Sequence, residues 1–148
     1  MGLLPIGADI LPPSDDRVFK LILTSPEAKQ GLMNLISSII GRTVVDVVLL
    51  PNELAPGDTK EKAERFDVNC KIDDGSQINL EMQASYIIED LDGRYRNLKG
   101  KSVYYLKDLH SSQPAKGLRR YDHLAKTYQI TFCSYTIFHN TSDYVNSF

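Results

Sequence analysis

Apolar and polar positions along the chain mark out a sequence of elements before any chemistry is considered. Residues 1–13 are apolar but hold three prolines, which predicts an extended arm. Ser14 offers a cap for a short helix running through Asp15, Asp16, Val18, Phe19, Lys20 and Leu23. Ser25-Pro26-Glu27 is a second helix start: a cap, then proline at the first helical position, then an acid in the first turn. Leu32, Leu35, Ile36, Ile39 and Ile40 recur at helical spacing until Gly41 stops them. Thr43 to Leu50 is β-branched and almost wholly apolar, which predicts a buried strand ended by Pro51. Residues 51–64 are polar and predict the most mobile loop.

The pattern then changes to strict alternation. Phe66, Val68, Cys70 and Ile72 alternate with Asp67, Asn69 and Lys71, and Ile78, Leu80 and Met82 alternate with Gln77, Asn79, Glu81 and Gln83. Each run predicts a half-buried strand. Residues 86–93 form an acidic connection, Arg94 to about Ser112 a long helix, and Lys116 to Lys126 a shorter one beyond Pro114. Tyr128 to Phe138 is aromatic and β-branched, a closing strand. The order ααβββααβ predicts one α/β domain over 14–140, with a tail at 141–148.

The turn between the alternating strands sets their register. Asp73-Asp74-Gly75 suits a three-residue loop, with Gly75 taking the left-handed position. Ile72 then pairs with Ser76, Cys70 with Ile78 and Val68 with Leu80 on the apolar face. On the polar face Lys71 meets Gln77, Asn69 meets Asn79, and Asp67 meets Glu81. A two-residue loop would put apolar residues opposite polar ones. Two carboxylates thus face each other with Cβ atoms roughly 5 Å apart, where like charges repel. A divalent cation such as Mg²⁺ is the natural neutraliser, since it takes carboxylates, waters and substrate phosphates. Gln83 lies on the same face, two residues from Glu81. The plainer reading is an exposed acidic pair on a solvated face.

Composition narrows the function classes. The 148 residues carry a net charge of -2, which argues against bulk electrostatic binding of DNA or membrane while leaving room for a local basic patch. No apolar run is long enough to span a bilayer, and the N-terminus has no signal-peptide or myristoylation pattern. Cys70 and Cys133 stand alone in apolar runs and predict free thiols in a reducing cytoplasm. No Cys/His cluster has zinc-ligand spacing.

Several of these segments together resemble a known family. Asp67, followed by Glu81-Met82-Gln83 on the next strand, resembles the PD-(D/E)xK nuclease core, and most closely its recombination-promoting nuclease and transposase branch. Asp16-Arg17-Val18-Phe19-Lys20 is similar to that branch's D-x-x-F-K helix, Arg65-Phe66-Asp67-Val68 to its first acidic strand, and Leu80-Glu81-Met82-Gln83 to its E-x-Q strand. Lys101-Ser102-Val103-Tyr104-Tyr105 looks like its R-S-x-x-Y helix, and Gly117 to Tyr121 its G-x-x-Y segment. The resemblance covers about 14–140. It implies a restriction-endonuclease-like core with a mixed sheet of about four strands flanked by helices, and a metal-dependent DNA endonuclease. By that carry-over Asp67 and Glu81 bind Mg²⁺ or Mn²⁺, the Met82 carbonyl adds a ligand, Gln83 stands in for the usual lysine, and Asp16 is a further acid. Lys20, Arg94, Arg96 and Lys101 are the expected DNA contacts. Either Lys20 or Lys101 supplies the cation that Gln83 lacks, and Lys101 stands where the branch usually has arginine. Relatives of this fold often dimerise, so a homodimer is among the expected partners. They also usually continue with more helix after the last strand, so the chain is expected to be shortened. The competing expectation is a nuclease-fold module that binds nucleic acid or assembles without cutting.

Overall fold

The computed structural model describes residues 11–51, 67–84, 91–113 and 122–147, with the backbone alone for 91–96. Helix α1 spans Asp16–Thr24. Its cap is Asp15 rather than the expected Ser14: Asp15 Oδ1 accepts from the Arg17 N–H at 3.0 Å and the Val18 N–H at 3.3 Å. A carboxylate satisfies the unpaired amides of the first turn and also favours the positive end of the helix dipole. Ser25-Pro26 does start the next element, but as a 3₁₀ turn over Pro26–Ala28, and Ser25 makes no side-chain cap bond. Helix α2 follows at Lys29–Ile40 and ends on Gly41, whose φ of 74° is left-handed as expected.

Four strands form one sheet in the order β1-β2-β3-β4: Val47–Leu49, Val68–Ile72, Gln77–Gln83 and Thr127–Cys133. The first three run antiparallel and β3 pairs with β4 in parallel. The parallel step needs a crossover, which helix α3, Leu91–Ser111, supplies. This is a mixed four-stranded sheet flanked by helices, consistent with a restriction-endonuclease-like α/β fold. The expected loop 52–64, the acidic connection, Arg65, Phe66, most of the N-terminal arm and the segment Gly117 to Tyr121 lie outside the described residues. So does most of the expected helix Lys116–Lys126, whose described end, 122–126, is turn and irregular chain.

The hairpin register follows the expectation: Val68 pairs with Leu80, Asn69 with Asn79, Cys70 with Ile78 and Lys71 with Gln77. The Gly75 N–H donates to the Ile72 carbonyl at 2.8 Å and the Ile72 N–H to the Ser76 carbonyl at 3.0 Å, closing the three-residue loop. Gly75 has φ 86°, a value L side chains rarely adopt. Arg42 fastens this turn to the end of α2 through Asp73 and Asp74, each at 3.0 Å, and holds Asp73 below the usual carboxylate range.

The apolar face of the sheet, with Val68, Cys70, Ile72, Ile78 and Leu80, packs with Phe19, Leu23, Leu32 and Ile36 from α1 and α2. Phe19 meets Phe132 of β4 at 5.6 Å between ring centroids. The plainer reading of a solvated opposite face does not hold: Asn69, Asn79 and Glu81 are buried. Asn69 turns to the Pro51 carbonyl, while helix α3 packs on β3 and β4, with Lys101 bonded to Glu81 and Gln83 at one end and His110 to Thr127 at the other. Its own buried positions, Leu98, Ser102 and Leu109, share one face. Strand β1 is corrected the other way. It is an edge strand, so Val48 is 55% exposed despite the apolar run.

Candidate active site

Asp67 stands one residue ahead of β2, where the backbone ladder with β3 has ended. Its side chain continues the pairing: Oδ2 accepts the Met82 N–H at 2.9 Å. Its other oxygen, Oδ1, lies 3.4 Å from the Lys20 ammonium of α1. Lys20 also donates to Asp16 Oδ2 at 3.2 Å, one helical turn back. Asp16 is therefore linked to Asp67 through a lysine.

Glu81 comes from the middle of β3 beneath α3, and only 5% of its side chain is exposed. Lys101 Nζ donates to Glu81 Oε2 at 3.1 Å and to Gln83 Oε1 at 3.3 Å. The same ammonium sits 5.4 Å from the centre of the Tyr105 ring, within cation–π range. Burial pushes the Glu81 carboxyl above its ordinary range, the Asp67 charge adds to that, and Lys101 pulls partly back. Burial works against the charge on Lys101, but Glu81 foremost, together with Tyr105 and Asp67, outweighs it, so its pKa is raised. The two acids thus repel as their facing positions require, and each has a lysine of its own.

The structure therefore brings together Asp67, Glu81, Gln83 and Lys101, with Lys20 and Asp16 at the rim. The side chains of Arg94 and Arg96 lie outside the described residues. The homodimer expectation finds no support among the described residues. Sequence reasoning missed the neighbours of Glu81. Asn79 Nδ2 reaches Glu81 Oε1 at 3.4 Å and Gln129 Oε1 at 2.8 Å, and Thr131 is in register with Glu81. Alternation alone assigned these polar positions to solvent, so it gave no signal for a buried network.

The donor set suits a hard divalent cation. Two neighbouring carboxylates that repel each other, one of them buried, match the ligands Mg²⁺ takes when waters and a phosphate complete its shell, although each is held by a lysine. Among the described residues no group of three or more His, Cys, Asp or Glu side chains gathers around a common point, so a wholly protein-made cage is not built here. Cys70 and Cys133 are free, and burial pushes the Cys70 thiol up to about 12. A thiol held protonated is a poor metal ligand.

Compared with known proteins, residues 13–148 match the family model described as PD-(D/E)XK nuclease family transposase. No curated protein and no solved structure matches the chain.

Proposed function

The chain belongs to the PD-(D/E)XK nuclease family transposases, and from that premise we propose that it is a metal-dependent endonuclease hydrolysing DNA phosphodiester bonds. The observation that carries the reading is the pairing of Asp67 with Glu81, beside a lysine that touches both Glu81 and Gln83. Asp67 and Glu81 are the ligands for Mg²⁺ or Mn²⁺, with the Met82 backbone carbonyl as a further donor. When bound, such an ion lowers the pKa of a water and stabilises charge on the scissile phosphate.

The remaining residues divide the other tasks. The motif's usual lysine is absent at Gln83, and Lys101 brings an ammonium to the tip of that side chain from a different element. Lys101 is the cation that steadies the attacking water and the phosphate oxygens. Gln83 holds Lys101 through its oxygen and leaves its amide N–H groups for water or phosphate. Asp16 acts through Lys20, which it holds beside Asp67. Lys20, Arg94, Arg96 and Lys101 form the contacts to the DNA backbone, where phosphate charge dominates affinity. Among the described residues no helix is long and apolar enough to cross a membrane. The setting is the cytoplasm, where the free thiols stay reduced.

Supercoiled plasmid incubated with the protein and Mg²⁺ or Mn²⁺ tests this directly. The expected result is nicking or linearisation that requires the ion and is lost in the Asp67→Ala/Glu81→Ala variant. Intact plasmid under all conditions would instead mark a non-cutting module of the same fold.

A further inference from the structure

Asn79 is fully buried on β3, flanked by Ile78 and Leu80, on the face where α3 brings Lys101 to Glu81. Its amide N–H₂ donates in two directions. One contact runs to Gln129 Oε1 at 2.8 Å, on the strand position in register with Asn79. The other runs to Glu81 Oε1 at 3.4 Å. Its own oxygen, Oδ1, has no donor among the described residues. The residue opposite, Asn69, cannot supply one: its N–H₂ is turned to the Pro51 carbonyl at 3.1 Å, and its Oδ1 also lacks a donor. Reversing the Asn79 amide would set its oxygen against the Glu81 carboxylate and the Gln129 oxygen.

A buried amide with an idle oxygen is unfavourable, and leucine of similar volume would fill the place without that penalty. What leucine lacks is the N–H₂ group, which donates to Gln129 and is aimed at Glu81. Gln129 fixes the direction of that donor, and its own N–H₂ reaches Thr131 Oγ1 at 3.4 Å, on the residue in register with Glu81. Lys101 meanwhile takes the other oxygen, Oε2. The carboxylate is thereby held at both oxygens, from β3 and β4 on one side and from α3 on the other.

From this geometry we infer that Asn79, braced by Gln129, is a positioning residue for Glu81, fixing the plane of the carboxylate that faces the ion. The inference rests on the reading of Asp67 and Glu81 as ion ligands. Hydrogen bonds to a ligating carboxylate set its orientation, and their loss typically weakens metal binding by roughly 10–100-fold.

The test is calorimetric titration of the full chain with Mg²⁺ and with Mn²⁺, comparing wild type, Asn79→Leu and Gln129→Leu, beside melting temperatures in EDTA. Asn79→Leu is expected to weaken the ion by about tenfold, and Gln129→Leu by about threefold, as the brace is lost. The Asn79→Leu melting temperature in EDTA should stay close to that of wild type, since the loss of an unpaired buried oxygen offsets the loss of the donors to Gln129 Oε1 and Glu81 Oε1. Ion affinity within about twofold of wild type in both variants overturns the positioning role, as does a drop in the EDTA melting temperature with unchanged affinity of the folded protein. Should Asn79→Leu not fold, Gln129→Leu decides by the same affinity criterion. A wild type that binds neither ion overturns the ligand reading and the positioning role together, whereas ion binding indifferent to both variants overturns the positioning role alone.

Discussion

The Lys101 ammonium lies 3.1 Å from Glu81 Oε2 although the two residues are 20 apart in the chain, one on a helix and one on a central strand. Glu81 is nearly enclosed, while 39% of the Lys101 side chain remains open to water. Removing the lysine strands a buried carboxylate. Lys101→Met is expected to destabilise the metal-free protein by roughly 1–2 kcal/mol, less than for a fully enclosed pair because the lysine is partly solvated. Urea unfolding in EDTA measures it. In the Glu81→Gln background the same substitution should be nearly neutral, because no charge is left to strand. Equal losses in both backgrounds would mean that Lys101 acts through packing on Tyr105 instead. On plasmid, Lys101→Met should slow nicking by about 10²–10³-fold if its charge serves the phosphate.

The raised pKa of Glu81 has a definite sign for stability. The folded state holds the proton at pH values where the unfolded chain has released it, so the folded state binds more protons across that window. Stability of the metal-free protein should therefore fall as pH rises from the ordinary glutamate range through the raised pKa of Glu81, then level off. Glu81→Gln should remove this component and stabilise the metal-free protein at neutral pH. Urea unfolding at a series of pH values in EDTA, wild type against Glu81→Gln, reads the difference. A difference that grows in the opposite direction would contradict the burial and repulsion assigned to this carboxylate.

The hairpin was readable from sequence because its causes are local. Asp73-Asp74-Gly75 fixes the turn, and alternation fixes which residues face the core. The covering of the other face was not readable. Asn79 and Glu81 look solvent-facing in their own strand, and the groups that meet them there, Gln129 on β4 and Lys101 on the crossover helix, come from later parts of the chain. The choice between Lys20 and Lys101 as partner of Gln83 had the same difficulty, since it depends on how α1 and α3 dock. The edge position of β1 is likewise set by strand order, which the apolar run Thr43 to Leu50 does not encode.

Lys20 stands between two acids, 3.2 Å from Asp16 Oδ2 and 3.4 Å from Asp67 Oδ1. A divalent ion bound to Asp67 must compete with that ammonium. Lys20→Met is therefore expected to tighten Mg²⁺ binding in calorimetry by a few-fold, while Asp16→Asn changes it little. Asp16 is 62% exposed at the side chain and reaches Asp67 only through Lys20. A loss of ion affinity in Asp16→Asn comparable to that of Asp67→Ala would make Asp16 a ligand in its own right.

Phe19 seats α1 on the sheet against Phe132, and one residue further along the same helix Lys20 reaches Asp67. Phe19→Ala should cost about 3–5 kcal/mol, as for other buried aromatic truncations. Thermal unfolding should show a fall on the order of 10 °C for a chain of this length. Below the new melting temperature, Mg²⁺ affinity should change only modestly, because Glu81 and Asp67 remain fixed by β3. A collapse of ion binding in folded Phe19→Ala would place α1 within the ligand shell rather than at its rim.

Asp67 and Glu81 repel each other in the metal-free protein, so an ion that binds both relieves a strain that the folded state alone bears. The unfolded chain has no such pair and gains little from the ion. Mg²⁺ or Mn²⁺ at a hundredfold excess over its dissociation constant should therefore stabilise the fold by about 2.7 kcal/mol. For a chain of this size that corresponds to roughly 5–10 °C in melting temperature. Asp67→Ala leaves one ligating carboxylate and frees the Met82 N–H that it held, so the rise should vanish. A rise that persists in Asp67→Ala and in Glu81→Ala would locate the ion elsewhere on the protein. If wild type shows no rise, the acidic pair is neutralised by Lys20 and Lys101 alone, and the chain retains the fold of a nuclease without its metal.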